Sequence, residues 1–170
     1  MKEQRLADGS PAYVAQAEQQ IIGAMMLFLL PEDIDEIRQR TGLRSNWFRD
    51  YTLGHIWEAI VTSAAMQQSS EKSRGGSTPI MPTLVSHLLY RAGKYDEIGG
   101  IEFLNRLVAN VSTNFIHTSV EGIIFNINVM KEWVERRKDY QEGQKLVERA
   151  FSGEPRNIGA LQMEVTIHES

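Results

Sequence analysis

The stretch NVMKEWVERRKDYQEGQKLVERAFSG, positions 128–153, constrains the chain more than any other. It reads as one long helix whose apolar residues are Met130, Trp133, Val134, Tyr140, Leu146, Val147, Ala150 and Phe151. Its middle, positions 135–139, is wholly charged. A stripe this thin cannot close a core of its own, because a core-facing helix needs a wider apolar face. Whatever fold the chain adopts must therefore supply this helix with a neighbour.

Upstream, the apolar faces are broader. Ile21, Ile22, Met25, Met26 and Leu29 recur at helical spacing, and Pro31 breaks that helix. A second helix begins at once, with Glu32 and Asp33 in its first turn, where the helix dipole favours anions, and Ile34 and Ile37 on its apolar face. After the loop TGLRS, Trp47 and Phe48 form a short apolar anchor. Leu53, Ile56, Trp57, Ile60, Val61 and Ala64 then share one face of a third helix. SSEKSRGGSTP is a low-complexity loop, and positions 67–79 are expected to be flexible.

The spacing predicts further helices through Leu84, Val85, Leu88 and Leu89, ending near Gly93, and through Ile101, Leu104, Leu107 and Val108 after the Gly99–Gly100 pair. Thr113 is the candidate N-cap of another, running through Ile116, Val120, Ile123, Ile124 and Ile127. A last helix is expected at about positions 157–167, with Ile158, Leu161 and Val165 in its stripe. No stretch alternates as a strand would, so the chain is read as all-α.

Counting apolar faces gives an architecture. Positions 1–11 are polar and expected to be flexible; 12–127 close a compact helical bundle; 128–170 form a long C-terminal antiparallel helical hairpin across the turn containing Gly153 and Pro155. Two helices bury little surface alone, and exposed seams of this kind mark protein interfaces. The hairpin is therefore expected to complete its burial against a second copy of the chain. The residues assigned to that seam are Met130, Trp133, Val134, Val147, Phe151, Leu161 and Val165.

Bulk properties and motif searches narrow the function classes. The chain has 170 residues, no cysteine and a formal net charge of −4. Disulfides and cysteine-based zinc sites are excluded, which fits the cytoplasm. The densest cationic cluster, Arg136, Arg137 and Lys138, is bracketed by Glu132, Glu135, Asp139 and Glu142, which reads as a mixed-sign solvated face. Direct nucleic-acid binding is not expected, since holding phosphates calls for a basic excess. No apolar run reaches the ~20 residues of a membrane span. There is no phosphate-binding glycine loop and no G-x-G-x-x-G. His55, His87, His117 and His168 lie too far apart for a helical metal pair, so neither metal nor cofactor is expected. Nothing in the chain points to an enzyme.

Four ordered blocks resemble the N-terminal domain of DnaB-type replicative DNA helicases: QAEQQIIGAMML (16–27), WFRDYTLGHIWEAI (47–60), LLYRAGKYDEIGGIEFLNRLVANV (88–111) and the long helix at 128–153. The third is the strongest match, with its Arg-x-Gly helix end, acidic stretch and Gly pair, and it is the order and spacing of the four blocks together that is specific. The chain departs from the family in a longer loop at about 67–76 and in Leu53, where the family often has a polar residue.

The resemblance implies a non-catalytic assembly and docking domain. Its hairpins pair between subunits and build a collar, which offers a surface to primase or to a helicase loader. It carries over no catalytic residue, because the family keeps catalysis in a motor domain beyond this segment. The alternative reading is a standalone helical adaptor or inhibitor that docks on a host replicative helicase.

Overall fold

A computed structural model describes residues 10–71, 77–111 and 119–153. The described residues are all-α: α1 (Ala12–Phe28), α2 (Pro31–Thr41), a 3-10 turn (Ser45–Trp47), α3 (Tyr51–Glu71), α4 (Pro82–Arg91), α5 (Gly100–Ala109) and α6 (Val120–Ser152).

Local chemistry sets the element ends. Pro31 occupies the first turn of α2, where its missing N–H costs nothing, and the Asp33 carboxylate accepts from the Leu30 N–H at 2.8 Å. Gly42, at φ 68°, ends the same helix in the left-handed region. The Gly99–Gly100 pair is left-handed at both positions, φ 89° and 65°, as its turn into α5 requires. There the Tyr95 hydroxyl accepts from the Ile101 N–H at 3.2 Å. Ser119 caps α6 by accepting from the Gly122 N–H at 3.3 Å.

One core joins all six helices. Ile21, Ile22 and Met25 of α1, Ile34 and Ile37 of α2, Ile56 and Ile60 of α3, Leu89 of α4, and Leu104 and Leu107 of α5 are buried together. Phe48, read from the sequence as an anchor, belongs to this core, with Trp47 packed on its edge. Helix α6 enters it through Ile123, Ile124, Ile127 and Met130. Gly23 lets α1 approach α5 so closely that a Cβ there would overlap the Leu107 carbonyl.

The structure differs from the sequence reading in three places. Helix α6 is unbroken through position 127, and burial continues along it to Met130 and Val134. The reason lies in the spacing: Met130 and Val134 continue the same 3.6-residue stripe as Ile123 and Ile127. Helix α3 extends to Glu71, so positions 67–71 are helical where a loop was expected. There the buried Gln67 carboxamide donates to the Pro79 carbonyl at 3.0 Å and accepts from the Met81 N–H at 3.3 Å, tying the approach to α4 onto α3. Thirdly, Ser10 and Pro11 are buried, although 1–11 was expected to be flexible. The expected helix at 157–167, the Thr113 cap and residues 1–9 and 72–76 lie outside the described residues.

Candidate functional site

The feature that distinguishes this bundle is the C-terminal half of α6. From Lys138 to Gly153 every residue is exposed. Leu146 is 64% exposed, Val147 56% and Phe151 88%. Tyr140, Val147 and Phe151 recur at i, i+7 and i+11, so they lie along one side of the rod. At 1.5 Å per residue, the 15 residues 138–152 extend roughly 22 Å beyond the bundle.

The seven seam residues thus fall into three groups. Met130 and Val134 face the bundle of their own chain and are covered by it. Trp133 is half-buried at the bundle's edge, its ring edge-on to Tyr13 at 6.3 Å, with the Arg136 guanidinium 4.8 Å from its centroid. Val147 and Phe151 stand on the exposed rod. Leu161 and Val165 lie outside the described residues.

Where the rod leaves the bundle, a buried polar node holds it. Glu18 on α1 is 1% exposed, and its carboxylate accepts from the Arg49 N–H at 2.9 Å. Arg137 on α6, with its side chain 12% exposed, lies 3.9 Å from the same carboxylate. It also donates to the Trp47 carbonyl at 2.6 Å. Lys131 sits over the Trp47 ring at 5.6 Å. Sequence reasoning placed Arg137 on a solvated face and passed over Glu18. The available signal was phase: Glu18 follows Val14 by four residues and precedes Ile22 by four, so it rides the apolar stripe of α1.

At the other end of α6, Arg40 of α2 grips Glu121 through both guanidinium nitrogens, at 2.5 and 2.9 Å, and also reaches Glu36 at 2.8 Å. Hydrogen bonding to Arg40 holds the Glu121 carboxyl below its ordinary value. A similar local pair forms at 2.9 Å between Lys94 and Glu97, and it lowers the Glu97 carboxyl.

Among the clefts lined by described residues, two stand at α6 and at α4. One, of about 480 Å³, lies between the segment after the 3-10 turn and the root of the rod. The other, of about 440 Å³, lies between α3 and α4 and mixes His55 and Glu58 with Arg91 and Lys94. Among the described residues no three His, Asp or Glu side chains gather as a metal ion would require. No described helix is long and apolar enough to cross a membrane.

By fold, this is an N-terminal domain of the helicase type. The structure is similar to the N-terminal domain of DnaB helicase from Mycobacterium tuberculosis, with a TM-score of 0.59 over 89% of this chain and 93% of that one, at 20% sequence identity. The chain belongs to the DnaB-like helicase N-terminal domain family, whose pattern matches residues 10–126. No curated protein matches it. The family match covers the bundle and the first turns of α6, and the exposed rod lies beyond it.

Proposed function

We propose that the chain is a non-catalytic assembly and docking domain of a replicative DNA helicase, acting in the cytoplasm. In this reading it self-associates through the exposed half of α6 and contributes to an N-terminal collar with a surface for primase or a helicase loader. The observation that carries the reading is the rod itself: Leu146, Val147 and Phe151 are apolar and exposed on a stretch of α6, from Lys138 to Gly153, in which every residue is exposed. Exposed apolar side chains at this density on a projecting helix gain most from burial against another polypeptide. Leu161 and Val165 are proposed to extend the same surface, with Trp133 at its inner edge.

Phe151 gives the cleanest test because its ring is almost wholly in solvent. Truncating a central aromatic anchor costs about 2 kcal/mol of association or more, roughly thirtyfold in the dissociation constant. Sedimentation equilibrium of Phe151→Ala should show weakened self-association with helicity and thermal midpoint unchanged. A wild-type chain that stays monomeric up to high micromolar concentration would remove the basis of the reading.

A further inference from the structure

The exposed side of α6 is not confined to the rod, and its sequence is self-complementary. Val129, Trp133, Arg136, Tyr140, Gly143 and Val147 follow one another at intervals of four and three residues, the spacing of a coiled-coil seam. At about 100° per residue they fall within an arc of about 80°, turned away from the side on which Ile123, Ile127, Met130 and Val134 enter the bundle. Five of the six are exposed, and Trp133 is half-buried.

The seam is symmetric about position 138. Val129 and Val147 stand nine residues either side of that point, Trp133 and Gly143 five, and Arg136 and Tyr140 two. Two copies laid antiparallel about a two-fold axis at this level would set valine on valine, the largest side chain on the smallest residue, and a guanidinium on a phenol ring. Gly143 has nothing within 4 Å of where a Cβ would stand, which leaves room for the indole. Arg136 keeps its contact with its own Trp133, 4.8 Å from the ring centroid, and offers its other planar face to the tyrosine. The same symmetry reaches Phe125 and Phe151, 60% and 88% exposed. Lys138, at the level of the axis, lies about 180° round the helix from the middle of the seam, so its two copies do not meet. Parallel pairing would instead oppose Arg136 to Arg136 and Gly143 to Gly143, a repulsion and a gap.

We propose that α6 pairs antiparallel with α6 of a second copy, in the register that places Trp133 of each chain over Gly143 of the other. Each rod then lies along the outer face of the other chain's bundle, over Val129 and Trp133. The inference rests on the self-association proposed above and specifies the surface that receives the rod.

The chain has no cysteine, so introduced thiols report the register directly. Val129→Cys/Val147→Cys in the 170-residue chain should oxidise to a covalent dimer, and so should an equimolar mixture of the two single variants. Val147→Cys alone should not, because its two copies stand about 27 Å apart in this register. Positions 129 and 147 of one chain are equally far apart along the helix, so no disulfide can close within it. Gly143→Leu should weaken self-association roughly tenfold or more by filling the space of the indole, although it favours the helix. Trp133→Ala/Gly143→Leu should associate more tightly than Gly143→Leu alone, since the clash is gone. A dimer in sedimentation that cross-links through Val147→Cys alone, fails to cross-link in the double cysteine variant, or is left intact by Gly143→Leu would overturn the register while self-association stands. A chain that sediments as a monomer would overturn both.

Discussion

Glu18 and Arg137 show how much a single buried pair can hold. Removing Arg137 alone takes away the guanidinium 3.9 Å from a carboxylate that is 1% exposed. Breaking one side of such a pair typically costs about 3–5 kcal/mol. Urea denaturation of Arg137→Met should show a loss of this order. The double variant Glu18→Gln/Arg137→Met should recover most of it, because Gln still accepts from the Arg49 N–H and carries no charge. Gly23→Ala tests packing rather than charge. Its added Cβ would overlap the Leu107 carbonyl, a backbone atom that cannot rotate away. A loss of about 1–3 kcal/mol in the same assay is expected, since α1 and α5 must move apart.

At the scale of elements, α6 is a helix with two regimes. Its first part is held by the core and by Arg40, and from Lys138 to Gly153 every residue is exposed. Above the ordinary carboxyl value of 4.5 the Arg40–Glu121 contribution is fully present; because the folded-state value is lowered, that contribution fades only as pH falls through the lower value. An NMR titration should place the Glu121 carboxyl midpoint below 4.5 in the wild type, and Arg40→Ala should raise it toward 4.5. In the second half, Gly143 has nothing within 4 Å of where a Cβ would stand. Gly143→Ala should therefore stabilise the exposed rod by about 0.5–1 kcal/mol. Slower amide exchange at residues near 143, with the bundle's thermal midpoint unchanged, is the expected signature.

For the molecule as a whole, periodicity in the sequence carried the helical class and most of the core, because apolar residues at i, i+3 and i+4 are local information. The helix ends at Pro31 and near Gly93 were similarly legible from backbone chemistry. Less legible was where α6 passes from bundle to rod. That boundary depends on which neighbours α1 and the 3-10 turn place beside Met130, Val134 and Arg137, contacts between residues about 90 positions apart or more. Gln67 was misread for a related reason: a polar residue before a Ser-rich run looks like a loop until its carboxamide finds the carbonyls across the turn. Of the seam, Val147 and Phe151 were recognisable as surplus apolar side chains, whereas Met130 and Val134 are indistinguishable from them without the fold.

A helix anchored at one end and, among the described residues, exposed at the other is also a lever. Over the roughly 22 Å from Lys138 to Ser152, a tilt of about 10° at the base would sweep the ring of Phe151 through about 4 Å. Small rearrangements around the Glu18 carboxylate would thus reach the far end enlarged, as displacements of atomic size.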